Sequence, residues 1–406
     1  MARRLKILHT SDIHIGRKLK DRDRTKEFKE FFVWLEEQII NEGIDMFLIS
    51  GDIFDNTTPS VQAQEIYYSF LGHIAESECR HIIIISGNHD SALFIDAPSE
   101  VLKHCKVHVI GQACVNPEDE VIPLKNSDGH EEAIVCAVPY LRDKDVRTAS
   151  IDDSFRDIDR ALQAGIKSHY ERVFNHARKL QGDSNIPIIA MGHLFLKNGR
   201  TSEGDGVRSL YVGTSIQVGS EIFPEDITYT ALGHLHSPQY IGRENIRYSG
   251  SPIAMGFGEA GQDKSVILIE TDGRNIAEMK EIHVPVFQRL ERISGDMKQI
   301  ENGIKLLGTQ NESIWLEVTH TGRPEINLQE RLNDCVKNYS SIEILSVYDE
   351  SIPDELKLTH VNDDLEKISP VDMLNLLLDG KNIPEEQRKI LIPLYQEILR
   401  DLGVDF

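Results

Sequence analysis

The chain has 406 residues, 40% hydrophobic and 27% charged, with 44 lysines and arginines against 66 aspartates and glutamates for a net charge of −22. These proportions suit a globular protein of two or three domains and exclude a disordered or fibrous chain. Five scattered cysteines (Cys79, Cys105, Cys114, Cys136 and Cys335) without a Cys-x-x-Cys pair exclude a disulfide framework and a thiolate zinc site, so a reducing cytoplasm is the expected compartment.

Arg3 and Arg4 precede a short apolar run that Asp12 ends before it could act as a signal-peptide core, and no later stretch reads as a membrane span. The apolar runs 5–8, 46–49 and 82–85 are too short for helices and read as buried strands. Between the first two, Phe28, Phe31, Phe32, Leu35 and Ile39 recur at the spacing of one helix face. Alternating strand and helix implies a mainly parallel, covered sheet. Further strands are predicted at 186–190, 228–232, 246–248 and 266–270, with a long polar helix over 153–179. The pattern suits an α/β fold of the αββα sandwich type. Past residue 284, runs at 287–293, 314–319 and 342–347 alternate with helical stretches at 297–307 and 328–339, a small βαβαβ unit. The expected domains are therefore 1–283, an α/β cap at 284–352, a polar linker at 353–368 and a helical pair at 369–406. Ser369-Pro370-Val371-Asp372 is a well-formed helix start.

Five apolar runs of the first domain each end in hard metal-ligand types: Asp12 and His14; Gly51-Asp52; Gly87-Asn88-His89-Asp90; Gly192-His193; and Gly233-His234-Leu235-His236. Parallel strands place their carboxyl ends along one edge of a sheet, where ligands collect, so these side chains can meet at one site. A Gly-Asp after a strand is by itself usually a turn, and a lone histidine usually a hydrogen-bonded residue; five such motifs in chain order make chance a weak account. Carboxylate, imidazole and amide oxygen without thiolate favour Mn²⁺, Fe or Zn²⁺ in an open catalytic site. About seven ligands suit two ions roughly 3.5 to 4 Å apart sharing a carboxylate, an arrangement suited to phosphoryl transfer. The acidic net charge opposes nucleic-acid binding, which rests on Lys and Arg neutralising phosphates, but bound divalent cations reverse the local sign. After His14 the chain is basic, with Arg17, Lys18, Lys20, Arg22, Arg24, Lys26 and Lys29. This stretch reads either as a solvated loop or as a phosphate-contacting one, with Arg17, Lys18 and Lys20 the candidate DNA contacts.

In order and spacing, D-x-H, G-D-x-x-D, G-N-H-D and G-H-x-H resemble the calcineurin-like metallophosphoesterases. The stretches ILHTSDIHIG, SGDIFDN, SGNHDS, YVGTSIQVGSEIFPEDITYTALGHLH and RYSGSPIAMGFGE are similar to those of the bacterial DNA nucleases of that family that partner an SMC-like ATPase. The resemblance implies Asp12, His14, Asp52 and His236 on one metal and Asp52, Asn88, His193 and His234 on the other, with Mn²⁺ the expected ion. It gives His89 the task of steering or protonating the leaving oxygen and Asp90 that of orienting His89, while Asp55 keeps an open role. It further implies a double-strand exonuclease of 3′–5′ polarity and a single-strand and hairpin endonuclease, acting in DNA repair, recombination and replication. The implied assembly holds two nuclease and two ATPase chains, with a nuclease homodimer at its centre.

An enzyme acting on a small phosphodiester or nucleotide is the competing reading, and the chain beyond residue 284 speaks against it. A dead scaffold would have lost ligands, and none of the motif positions is vacant. No G-x-x-x-x-G-K-[ST] loop is present, so any ATP dependence belongs to a second polypeptide. Tyr67, Phe70, Leu71 and Ile74 place more apolar surface on the helix at 61–74 than one covering contact requires, and self-association is expected there and at 98–104. In the helical pair, Val371, Leu374, Leu377 and Leu378 make one apolar stripe and Ile390, Leu391, Leu394, Ile398 and Leu402 another. Two short helices must dock such stripes on the body or on a partner; Leu374, Leu377, Leu391, Leu394 and Ile398 are the candidate contacts to the ATPase.

Overall fold

The computed structural model describes residues 4–147, 155–201, 217–310, 312–325 and 327–351, together with Leu374, Leu378, Arg388, Leu391, Ile392, Leu394 and Tyr395. It divides into two compact units, residues 1–290 and 291–406.

In chain order the first unit holds β1 (Leu5–Thr10), α1 (Thr25–Asn41), β2 (Met46–Ser50), α2 (Val61–Glu76), β3 (His81–Ile85), α3 (Ala92–Asp96), α4 (Ser99–Lys103) and β4 (Val107–Ile110). There follow β5 (Val121–Lys125), β6 (Glu131–Ala137), α5 (Asp143–Val146), α6 (Phe155–Gln181), β7 (Ile188–His193) and β8 (Tyr229–Gly233). The unit closes with β9 (Gln239–Ile241), β10 (Arg243–Tyr248), β11 (Ser265–Asp272) and β12 (Asn275–His283). One sheet has the order β12-β11-β1-β2-β3-β4 and the other β5-β6-β7-β8-β10-β9. β1 to β4 are mutually parallel, as are β6, β7, β8 and β10, and antiparallel strands flank each parallel set.

The central strands carry apolar residues on both faces because both faces are covered. Alternate residues feed different cores. Ile7, Met46, Leu48, Ile83 and Ile85 meet Val135, Ile189, Met191 and Ala231 between the sheets. Leu8, Phe47, Ile49, Ile82 and Ile84 pack outward under α1 and α2, and Ile134, Ile188 and Leu232 pack outward under α6. This is the expected αββα sandwich.

The helix at 61–74 is present as α2, but its surplus apolar surface is not. Tyr67, Phe70, Leu71 and Ile74 are all buried in the core beneath it, where sheet packing and contact with α1 use the whole stripe. The short α4 buries no residue of its own.

The second unit holds β13 (Arg289–Gly295), α7 (Met297–Gly308), β14 (Ile314–His320), α8 (Leu328–Val336) and β15 (Ile342–Asp349), with the strands in the order β13-β14-β15. α7 starts on a capping box in which Asp296 and Gln299 satisfy each other's main-chain N–H. Its core joins Ile300 and Ile304 to Leu316, Val318 and Leu332. Of the expected partner contacts, Leu377 and Ile398 lie outside the described residues. Leu374, Leu391 and Leu394 are helical, the first half-buried and the other two exposed.

Candidate metal centre

The site begins where the strands end. Beyond β1 and β2 the two chains keep pairing through their loops: Asp12 N–H donates to Gly51 O (3.0 Å), His14 N–H to Asp52 O (3.0 Å) and Ile15 N–H to Ile53 O (2.8 Å). Asp12, His14, Asp52 and His234 all have positive φ, at 53°, 53°, 50° and 107°. Non-glycine residues rarely adopt that region, and where they do the surroundings impose it, most often at functional sites. The preceding glycines mainly make room. A β-carbon on Gly87 would lie 2.1 Å from Asp52 Oδ1, and one on Gly233 would lie 1.9 Å from Ser50 O. No side chain larger than hydrogen lets these loops close.

The seven expected ligands come together, and all but the half-buried Asn88 are buried. Ligand-type atoms of Asp12, His14 and His236 lie within 4.8 Å of one another, as do those of Asp12, Asp52 and His193. His14 Nε2 is 3.6 Å from Asp52 Oδ2 and 3.2 Å from His236 Nε2. His193 donates Nδ1–H to Ser50 O (2.9 Å), which turns its Nε2 toward Asp52 Oδ2 (3.4 Å) and Asn88 Oδ1 (3.0 Å). His234 Nδ1 stands 3.3 Å from the same Asn88 oxygen. Asp12 accepts from His234 N–H at 2.9 Å and from Ser11 Oγ at 2.5 Å.

Electron-rich atoms therefore face one another across short gaps, an arrangement that a cation turns from repulsion into attraction. Burial pushes His14 and His234 well below the usual imidazole range, leaving neutral rings of the kind metal binding requires. Burial works against a proton on His193, yet the Asp52 carboxylate beside it more than offsets this and lifts the ring to about 9. The buried contact calls for positive charge. Burial opposes ionisation of Asp52 as well, but the His193, His14 and His89 rings hold its carboxyl well below the usual range. The donor set fits divalent ions.

His89 adjoins the ligands, its ring centroid 4.7 Å from that of His14. It is not oriented by Asp90, as the resemblance implied. His89 donates Nδ1–H to the main-chain oxygen of Asp55 (2.8 Å). The Asp90 carboxylate instead accepts from the N–H groups of Gly87 (2.9 Å), Ile53 (3.2 Å) and Phe54 (2.9 Å), so it ties two ligand loops together through their backbones. Asp55 gains a second task from its side chain, which sits 3.6 Å from His14 Nδ1 and 3.2 Å from Arg17. Arg17, held also by Met255 O at 3.2 Å, is the basic residue fixed beside the centre. Lys18 and Lys20 lie on loop positions, and both are exposed. Arg24 is buried in a two-point contact with Glu27 (2.7 and 2.9 Å) and is unavailable to a phosphate.

Sequence patterning passes over Glu259 and Lys264, a buried pair behind His236. Burial would raise the Glu259 carboxyl, but the neighbouring His236 ring and the Lys264 charge bring it down to about 2. The only signal in the sequence is an acid ending the stretch GFGE.

Two facing sheets with hard ligands converging from their strand ends define a phosphoesterase of the calcineurin type, and a profile described as calcineurin-like phosphoesterase matches residues 5–238. A second, described as type 5 capsule protein repressor C-terminal domain, matches residues 286–382. The chain is 29% identical over 415 residues to SbcD, the D chain of the nuclease SbcCD, of Escherichia coli (strain K12), covering 98% of this chain and 99% of that protein. It is 34% identical over 275 residues to the SbcD of Rhodobacter capsulatus, covering 66% and 67% of the two chains. For the Bacillus subtilis SbcD the identity is 31% over 284 residues, covering 68% and 69%. The chain belongs to the calcineurin-like phosphoesterases, and within them to the SbcD nucleases. Divalent metal ions are the cofactors of this class. No helix among the described residues is long and apolar enough to cross a membrane.

Proposed function

We propose that this chain is the metal-dependent nuclease component of a cytoplasmic DNA-processing complex, cutting phosphodiester bonds beside an SbcC-type SMC-like ATPase. The observation that carries the reading is the convergence of seven ligand-type side chains, from five strand-end loops, on one buried point. In the proposed assignment Asp12, His14 and His236 hold one ion, Asn88, His193 and His234 hold the other, and Asp52 is shared. Oxygen and imidazole donors with one weak amide suit Mn²⁺, Fe or Zn²⁺, and Mn²⁺ is the ion the family resemblance implies. Such ions, when bound, supply the positive charge that steadies the attacking and leaving oxygens of an in-line displacement.

The chain's own residues do the rest. With Nδ1–H committed to Asp55 O, His89 has Nε2 available to give a proton to the departing oxygen. Arg17, clamped by Asp55 and Met255, adds a preorganised guanidinium for a DNA phosphate. Asp90 keeps the loops bearing Asp52 and His89 in step. Residues 284–352 serve as the cap that steers DNA, and the segment from 369 onward docks on the ATPase in an assembly of two nucleases and two ATPases. Tyr67, Phe70, Leu71 and Ile74 are taken up by the core, so a homodimer contact on these helices would draw on exposed residues such as Val61 and Val101.

The test is cleavage by the purified chain, with and without its ATPase partner, of linear duplex, hairpin and single-stranded DNA with Mn²⁺. Basal cleavage by the chain alone and ATP-stimulated duplex degradation with the partner are expected. Hydrolysis of a small phosphodiester with no cleavage of any DNA would overturn the reading. Deleting residues from Val361 onward should leave basal cleavage intact and end both ATP stimulation and co-purification with the ATPase.

A further inference from the structure

We infer that Glu259 and Lys264 form a buried clamp that sets the ring and the main chain of His236 together and thereby governs how tightly one of the two ions is held. The inference rests on the assignment of His236 as a metal ligand above.

Glu259 ends a single turn of 3-10 helix at Phe257–Glu259 and is 1% exposed. Its Oε1 lies 3.5 Å from His236 Nδ1. Its Oε2 accepts from Met255 N–H (2.9 Å) and Ser251 Oγ (3.3 Å) and pairs with the Lys264 ammonium. Lys264, just ahead of β11, is nearly as buried. It also donates to Ser251 Oγ (3.0 Å) and to the main-chain oxygen of His236 (3.3 Å). An ammonium has three protons, and here each has an acceptor. Ser251 N–H donates to that same His236 oxygen at 3.0 Å. The peptide of His236 is therefore held by Lys264 and Ser251 while its ring is faced by Glu259.

The chemistry explains why charge stands where an apolar pair would pack at least as well. A buried ion pair is a poor source of net stability, since desolvation offsets most of its attraction. What a carboxylate does that a methyl group cannot is accept the Nδ1 proton of an imidazole. A carboxylate oxygen that has no other hydrogen-bond partner among the described residues and lies 3.5 Å from Nδ1 favours the tautomer with a bare Nε2, and Nε2 of His236 is the atom that faces His14 Nε2 at 3.2 Å. Partners of this kind behind a metal-ligating histidine raise its basicity and fix its orientation. Lys264 keeps the carboxylate ionised and stationary. Both are positioning residues.

The test uses the full chain stripped of metal, with Mn²⁺ binding followed by titration calorimetry and folding by thermal melting of the metal-free protein. Glu259→Gln preserves shape but loses the charge. It should weaken one of the two binding events about ten- to a hundredfold, leave the other within twofold, and lower the metal-free melting temperature by several degrees without unfolding the protein, since Lys264 keeps its buried charge. In a His236→Ala background, Glu259→Gln should add no further loss of affinity, because it acts through the ring. Unchanged binding in Glu259→Gln overturns the inference. So does a loss of affinity that persists undiminished in the His236→Ala background, which makes the pair a plain structural element. Binding of fewer than two ions by the unaltered chain would instead show that the two-ion assignment has failed.

Discussion

The two ends of the same strands bury charge in opposite ways. At their carboxyl ends Asp12, Asp52 and the histidines at 14, 193, 234 and 236 crowd together with lone pair facing lone pair. At their amino ends Arg80 contacts Asp45 (2.5 Å) and Glu132 (2.8 Å), His81 meets Glu132 at 2.6 Å, and Lys6 N–H donates to Asp45 at 3.0 Å. There each of these charges found its opposite within the chain. The first edge gathers donors suited to an added cation, whereas the second is a closed network joining β3 of one sheet to β6 of the other.

The sharpest way to break this contrast is Asp52→Ala. Removing the shared carboxylate should abolish nuclease activity and lower the bound metal by at least one ion per chain, read by metal analysis after dialysis. Full occupancy with normal turnover would remove the basis for a shared ligand. His89→Ala comes next and should lower cleavage about a hundred- to ten-thousandfold while both ions stay bound. Loss of metal in that variant would make His89 a ligand.

At the opposite edge the effects should fall on folding alone. Arg80→Ala leaves two largely buried carboxylates without their guanidinium and should destabilise the protein by about 3 kcal/mol, measured by urea unfolding, with metal binding unchanged. Glu132→Gln should cost about 2 kcal/mol at neutral pH. Its cost should also depend on acidity. Burial tends to raise the Glu132 carboxyl, but hydrogen bonds from His81 and Arg80 bring it below the ordinary carboxylate value. A group depressed in this way stabilises above its unfolded pKa and loses the contribution as pH falls through the folded one. The gap between the wild type and Glu132→Gln should therefore close on acidification below about pH 4. A gap that holds constant down to about pH 3, below the ordinary carboxylate value, would mean that hydrogen bonding without charge accounts for the pair.

What could be read in advance follows the same physics. β1, β2, β3, β7 and β8 were legible because they are buried on both sides and therefore continuously apolar. β12 was not, since it lies at a sheet edge and none of its residues is fully buried. β6 opens with two glutamates, and β5 contains Pro123, so both read as loop. The ligands were visible because the same device recurs, a small residue and then a hard donor after an apolar run. Glu259 lies on an irregular turn after the last such run and carries no comparable mark. The role of Asp90 came from the resemblance and not from the residues; its carboxylate takes backbone N–H groups of Gly87, Ile53 and Phe54, while the His89 ring meets the main-chain oxygen of Asp55. α2 was located correctly, but periodicity alone cannot say whether an apolar stripe meets a core or a partner.

The placement of β1 bears on the timing of synthesis. It precedes the other described strands in the chain, yet it lies between β2 and β11, and its ligands meet His234 and His236 from more than two hundred residues later. A chain leaving the ribosome therefore presents Asp12 and His14 long before His193, His234 and His236 exist, and the ladder that seats them stays open on one side until residue 272 has emerged. The centre can close only late in the synthesis of the first unit.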